Sequence, residues 1–327
     1  MPDSLVLLAG MSVLVLSGEG LVRGASGLAR SFGVSPLAIG LTVVALGTSA
    51  PELAVNVSAA LADRTSISFG NIIGSNLANM GLVVGAIALI RPVAIETSVV
   101  RREIPMMLLA TGVAIVLGGD VWLAAAPNVY SRGDALALLL LFCVFLYYVL
   151  ADVRSQRDSD RYLGDLAETS TNIGRTRIPL GSAGMVVVGA IGLVIGAQWT
   201  VDGATGLARA LGVSDTLIGL TIVAVGTSLP ELTASVMAAL RGHTDLAVGN
   251  VVGSNILNLC LVLGVTGVLR PIPVPEGGMI DLFAVAIFSV ILLGVCTTYR
   301  HQIMRGEGVL LLLGYLLYVG QRALFWE

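Results

Sequence analysis

Residues 44–53 read VALGTSAPEL, and residues 223–232 read VAVGTSLPEL. The offset, 223 − 44, is 179 residues. It also carries GNIIGSNLAN, from Gly70, onto GNVVGSNILN, from Gly249, and GLARSFGVS, from Gly27, onto GLARALGVS, from Gly206. Arg91-Pro92 maps onto Arg270-Pro271, and about half of the positions from Val22 to Pro92 recur without a gap. Agreement at this level is beyond chance, so the chain is expected to build its fold from two copies of one unit.

The surroundings of the repeat fix what that unit is. The 327 residues are 56% hydrophobic and 12% charged, where soluble domains carry about twice that charge. Disordered chains are poor in apolar residues, and outer-membrane strands are short and alternating. A polytopic, all-α membrane protein remains. A spanning helix takes about 20 mainly apolar residues, which predicts ten spans: 4–29, 36–62, 67–91, 99–118, 134–152, 180–209, 215–241, 245–269, 279–298 and 305–324. Each copy holds five. Five is odd, so the second copy enters the bilayer from the opposite side. The expected organisation is two inverted five-helix repeats, 1–152 and 179–327, joined by a polar segment, 153–178, as a loop or short surface helix. That design belongs to secondary transporters, with the substrate site near the midplane where the copies meet. A channel or a structural membrane protein has no need of it.

All 18 basic residues are arginine. Their distribution along the loops favours both termini outside a cell (inner or plasma) membrane and 153–178 inside. Met1-Pro2-Asp3 lacks the basic start of a cleavable signal. No basic or aromatic cluster points to nucleic acid, and nothing points to an obligate protein partner; the expected surroundings are the lipid bilayer. Cys143, Cys260 and Cys296 lie far apart in apolar runs, without disulfide or metal spacing, and read as buried, inert thiols. No nucleotide loop or nucleophile constellation appears, so neither an enzyme nor a cofactor is expected.

The chemistry concentrates in the repeated motifs. Gly47-Thr48-Ser49-Ala50-Pro51-Glu52 and Gly226-Thr227-Ser228-Leu229-Pro230-Glu231 fall in mid-span. A helix-interior proline removes a backbone donor and clashes with the turn before it, so a break is expected that frees carbonyls around Ala45 and Ala224. Glu52 and Glu231 are the sharpest signals, because a mid-bilayer carboxylate costs about 2.5–3.5 kcal/mol. Carbonyls, hydroxyls and carboxylates at one level make a site for a hard cation. In Gly-Asn-x-x-Gly-Ser-Asn-x-x-Asn, the four-residue step puts Ser75 with Asn79, and Ser254 with Asn258, on one helical face. Asn79 and Asn258 read as ligands; Gly70, Gly74, Gly249 and Gly253 read as packing positions; Asn71, Asn76, Asn250 and Asn255 suit either role. Glu19, Asp202 and Asp281 read as edge or loop residues, and His243 and His301 as interfacial ones.

These doubled segments resemble the two alpha-repeats of sodium/calcium exchangers, in the calcium/cation antiporter superfamily, and length and span number resemble its compact prokaryotic members. The resemblance implies exchange of Na⁺ for Ca²⁺. It puts the calcium carboxylates on Glu52 and Glu231, the sodium and calcium oxygens on Thr48, Ser49, Ser75, Thr227, Ser228 and Ser254 with the Ala45 and Ala224 carbonyls, and the central positions on Asn79 and Asn258. Some members carry Asp at the second of these, as do potassium-dependent exchangers. Asn258 therefore argues against potassium coupling. The proton-coupled branch carries Gly-Asn-x-x-Glu where this chain has Gly74 and Gly253, which argues for sodium; a Ca²⁺/H⁺ antiporter using the same glutamates is the alternative.

Overall fold

A computed structural model describes residues 2–123, 126–166, 180–213, 224–298 and 301–325, and the statements below concern these. The protein is mostly helical. Six helices are long and apolar enough to cross a membrane, seven if one bent pair is a single span.

Helix α1 (Asp3–Phe32) ends at Gly33, whose left-handed backbone, with φ of 61°, closes the last turn. Ser35 then starts the next helix: its hydroxyl accepts the Ala38 N–H at 3.2 Å, with Pro36 in the first helical position. This helix, α2 (Pro36–Thr48), runs into α3 (Ala50–Leu61) through a 43° bend. Helix α4 is continuous over Thr65–Ala78, a wide π-helical turn at Asn79–Val83, and Val84–Ile90. Helix α5 comprises Val99–Glu103, again π-helical, and Ile104–Leu117. Helix α6 (Arg132–Leu166) does not stop at the end of the expected span near 152 but carries on as helix into the connecting segment, of which residues 167–179 lie outside the described residues.

In the second half, α7 (Leu180–Ala210) is followed by residues 214–223, outside the described residues, and by the short helix Ala224–Gly226. The start of the expected span 215–241 therefore has no description. Helix α8 (Leu229–Leu240) follows, then α9: Thr244–Ile256, a π-helical turn at Leu257–Val262, and Leu263–Leu269. Helices α10 (Gly278–Thr297) and α11 (Arg305–Phe325) complete the chain.

Helices α4 and α9 form the centre: 78% and 83% of their apolar windows lie inside the protein, against 28% for α1 and for α7. The last two pack antiparallel on glycine. A Cβ on Gly196 would sit 2.7 Å from the Leu14 nitrogen, and one on Gly189 2.7 Å from that of Leu21. Small residues let membrane helices approach this closely. Cys260 and Cys296 are buried, but Cys143 is exposed on α6. The expectation of three buried thiols fails there because an apolar run in a membrane helix can face lipid as well as core.

Two short antiparallel ladders tie distant segments together. Strand β1 (Val93–Ala94) pairs with β4 (Gln302–Ile303), and β2 (Val129–Tyr130) with β3 (Ile272–Pro273). The 179-residue offset carries Val93 onto Ile272, so each ladder joins the end of one copy of the motif region to a loop of the other half. Two ion pairs are related in the same way. Arg102 on α5 pairs with Asp152 on α6 at 2.9 Å and lies over the Tyr148 ring. Asp281 on α10 pairs with Arg322 on α11 at 2.7 Å and accepts the Tyr318 hydroxyl. Positions 102 and 281 differ by the same offset, with the charges exchanged. Asp281, expected as an edge residue, is thus a bolt between two helices.

Candidate cation site at the helix breaks

The broken helix brings the first motif into the core. Ser49 leaves the helical region (φ −87°, ψ 3°) between α2 and α3, with Pro51 in the first turn of the latter. Ser228 does the same ahead of α8 (φ −90°, ψ 3°), with Pro230 behind it. Each glutamate therefore sits in the first turn of a helix that starts inside the protein, where backbone N–H groups and the helix dipole favour negative charge. Glu52 is 0% and Glu231 1% exposed.

The expected freeing of carbonyls takes a different form at Ala45. Its oxygen accepts the Ser49 N–H at 2.9 Å and lies 3.3 Å from the Thr48 hydroxyl. The helical partner that Pro51 deprives is the carbonyl four residues back, that of Gly47. Ala45 keeps one lone pair for a further partner. Ala224 opens the short helix before the second break.

Glycine brings α2 against α9. A Cβ on Gly249 would lie 2.7 Å from the Leu37 carbonyl oxygen, and one on Gly253 2.6 Å from that of Leu41. The packing role expected of these two glycines holds. By the offset, the matching partners of Gly70 and Gly74 would be residues 216 and 220, outside the described residues. At this contact the Thr48 hydroxyl reaches Asn250 Oδ1 at 3.1 Å, and the Asn250 amide donates to Ser235 Oγ at 2.9 Å.

Around the carboxylates, the Ser49 hydroxyl donates to Glu231 Oε1 at 3.0 Å, across the two copies. Ser75 donates to Glu52 Oε1 at 3.5 Å, and the Asn79 amide to Asn255 Oδ1 at 3.1 Å. Thr48, Ser49, Ser75, Asn79, Ser228, Ser254 and Asn258 are all buried, and Thr227 is half-buried. Several of their oxygens have no hydrogen-bond partner among the described residues: Glu52 Oε2, Glu231 Oε2, Ser228 Oγ, Ser254 Oγ, Asn79 Oδ1 and Asn258 Oδ1. Native proteins pair nearly all such atoms. A buried group of unpaired oxygens around two carboxylates has the donor chemistry of a hard-cation site.

Sequence reading passed over Ser235 and Asn56. The first receives Asn250; the second, also 0% exposed, donates to the Glu52 carbonyl oxygen at 2.6 Å. Both stand four residues after a site glutamate, on the same helical face, and an amide or hydroxyl there in an apolar run was the available signal. The π-helical turns begin at Asn79 and at Leu257, beside Asn258. Such turns recur at functional sites, because they skip a helical hydrogen bond and redirect a side chain.

Comparison with known proteins gives the family and the fold. The family model described as sodium/calcium exchanger protein matches residues 4–151 and 181–322. Inner membrane protein YrbG of Escherichia coli K12 is 34% identical over 98% of this chain and 96% of its own length. Sodium/calcium exchanger MaX1 of Methanosarcina acetivorans is 33% identical over 96% of this chain and 97% of its own. A solved structure of the sodium-calcium exchanger NCX_Mj, soaked with Na⁺ and Sr²⁺, superposes with a TM-score of 0.81 at 32% identity, covering 97% of each chain.

Proposed function

The chain belongs to the sodium/calcium exchanger family, and on that premise we propose that it exchanges Na⁺ for Ca²⁺ across a membrane by alternating access at the site formed by Glu52 and Glu231. It is a multi-pass membrane transporter, not an enzyme, and its ions are cargo. The observation that carries the reading is the pair of buried glutamates at equivalent breaks, each with an unpartnered carboxylate oxygen among unpartnered hydroxyls and amides.

The charge arithmetic favours exchange. Two ionised glutamates give −2, which one Ca²⁺ neutralises. Sodium ions can neutralise the same pair from several oxygen subsites: Thr48, Ser49, Ser75, Thr227, Ser228, Ser254, Asn79, Asn258 and the Ala45 and Ala224 carbonyls. The bare site would carry two uncompensated charges through a low-dielectric interior, at several kcal/mol each. That penalty suppresses leak and couples the two cargoes.

The same proposal includes ten spans in two inverted five-helix repeats. Its support is that six described helices, or seven with α2 and α3 as one, are long and apolar enough to cross, that the short α8 follows residues 214–223, which lie outside the described ones, and that the two ladders tie each half to the other. It also includes a cell (inner or plasma) membrane with both termini outside.

The test is ⁴⁵Ca uptake into vesicles holding the purified protein, with sodium, potassium and proton gradients imposed one at a time. Uptake driven by outward sodium alone is expected. Uptake driven by a proton gradient without sodium would transfer the assignment to Ca²⁺/H⁺ antiport, and flux that persists with no counter-ion would indicate a channel.

A further inference from the structure

A second polar pocket lies away from the exchange site, where α2 begins. It is lined by Ser35, which caps α2, by Leu41 of α2, by Glu96 and Ser98 ahead of α5, by Glu103 of α5, and by Tyr148 and Asp152 of α6. Its volume, about 20 Å³, suits one water-sized body.

Glu103 makes this pocket unusual. It is only 3% exposed, it lines the pocket, and its Oε2 has no partner among the described residues. The charged groups around it are Arg102, Asp152 and Glu96. Among the described residues, the Arg102 guanidinium faces all three carboxylates and is itself paired with Asp152 at 2.9 Å, so negative groups outnumber it. Burial and the nearby Asp245 carboxylate hold Glu96 above the ordinary carboxylate range, as an electronegative pocket requires. The 179-residue offset puts Pro275, next to Glu276, opposite Glu96, and Leu282 opposite Glu103. A buried carboxylate that the repeat itself replaces by leucine is not there for packing.

We propose that this pocket binds one monovalent cation of sodium size, held by Glu103 and Glu96 with the hydroxyls of Ser98 and Tyr148. The choice of a monovalent ion follows from the donor set. Among the described residues, no three acidic, histidine or cysteine groups converge as a metal cage, and calcium takes six to eight oxygens. Two carboxylates and hydroxyls suit sodium better. Bound there, the ion bridges the loop before α5, α5 itself and α6, against the first turns of the helix that leads to Thr48 and Ser49. It would restrain that helix without being cargo.

The experiment uses the full chain in detergent with Glu52→Gln and Glu231→Gln together, which removes both carboxylates of the exchange site. Equilibrium binding of ²²Na should keep a saturable component that falls by one ion per chain when Glu103→Gln is added, and should weaken several-fold with Glu96→Gln. Binding that is absent in the first variant, or unchanged by both additions, overturns the proposal. If Glu103→Gln fails to give a monodisperse protein, Glu96→Gln and Tyr148→Phe carry the test, and unchanged sodium affinity in both overturns it equally. Retention of ⁴⁵Ca in place of ²²Na overturns the monovalent assignment. None of these results bears on exchange at Glu52 and Glu231.

Discussion

Ser49 and Ser228 occupy the same place in the two copies of the motif, yet among the described residues the Ser49 hydroxyl has a partner and that of Ser228 does not. The Ser49 hydroxyl holds Glu231 across the interface. The contrast runs both ways through the site: Asn250 and Asn255 are bonded, whereas the Asn71 amide nitrogen and both polar atoms of Asn76 have no partner among the described residues. Ser75 reaches Glu52 and Asn79 reaches Asn255, while their equivalents, Ser254 and Asn258, leave a hydroxyl and a whole amide unpaired. Residue types are the same in both halves, so the difference lies in how the helices are placed. On the inverted-repeat organisation proposed above, a second arrangement would have the copies trade roles and engage the other set of donors. Its local chemistry is nearly identical, so the two arrangements lie close in energy, and bound cargo can shift the balance.

The strongest way to break this comparison is to remove one carboxylate at a time. Glu52→Gln and Glu231→Gln should each reduce ⁴⁵Ca exchange to background, at least 100-fold, although only Glu231 receives Ser49. Wild-type flux in either would show that the halves are unequal in function as well as in bonding. A second probe is Gly253→Ala. The new Cβ would meet the Leu41 carbonyl oxygen at 2.6 Å, and forcing α2 from α9 should cost about 1–3 kcal/mol, read as a lower Tm in ion-free detergent. Gly112, where a Cβ meets nothing within 4 Å, should accept alanine with no loss.

The serines sharpen the contrast further. Ser49→Ala removes a hydrogen bond to a carboxylate, worth about 1.5–3 kcal/mol, and should lower Tm in chelator without added sodium. Ser228→Ala removes a hydroxyl that has no protein partner, so its ion-free Tm should hold while stabilisation by added Na⁺ shrinks. Equal behaviour of the two variants would dissolve the asymmetry. The smallest expected effect is in coupling: the unmodified protein should exchange calcium without potassium, and Asn258→Asp, by adding a charge beside the glutamates, should introduce a potassium or proton dependence. A potassium titration of flux decides it.

The sequence made part of this legible. Glu52 and Glu231 stand out because carboxylates in apolar runs are expensive, and the helix breaks follow from Pro51 and Pro230. At the first break the carbonyl that loses its helical partner is that of Gly47, four residues before the proline, while Ala45 accepts the Ser49 N–H. The π-helical turns at Asn79 and beside Asn258 have no local signature, since they depend on packing around α4 and α9. The unequal bonding of the halves could not be read at all: GTSAPE and GTSLPE differ by one apolar residue, and only tertiary placement separates them.

The ladder between Val93–Ala94 and Gln302–Ile303 has a consequence for how the molecule is made. A ribosome adds about 5–20 residues per second, so the first strand waits roughly 10–40 s for a partner some 210 residues behind it in synthesis (303 − 93). During that interval the leading helices stand in the bilayer with Ser49, Asn79 and an open strand edge unanswered, and a chain stopped after α6 has nothing to close on. Biogenesis therefore favours whatever holds the early helices apart from other membrane proteins until the last hairpin arrives, and a two-plasmid version split in the 167–179 segment should assemble only if both pieces are made together.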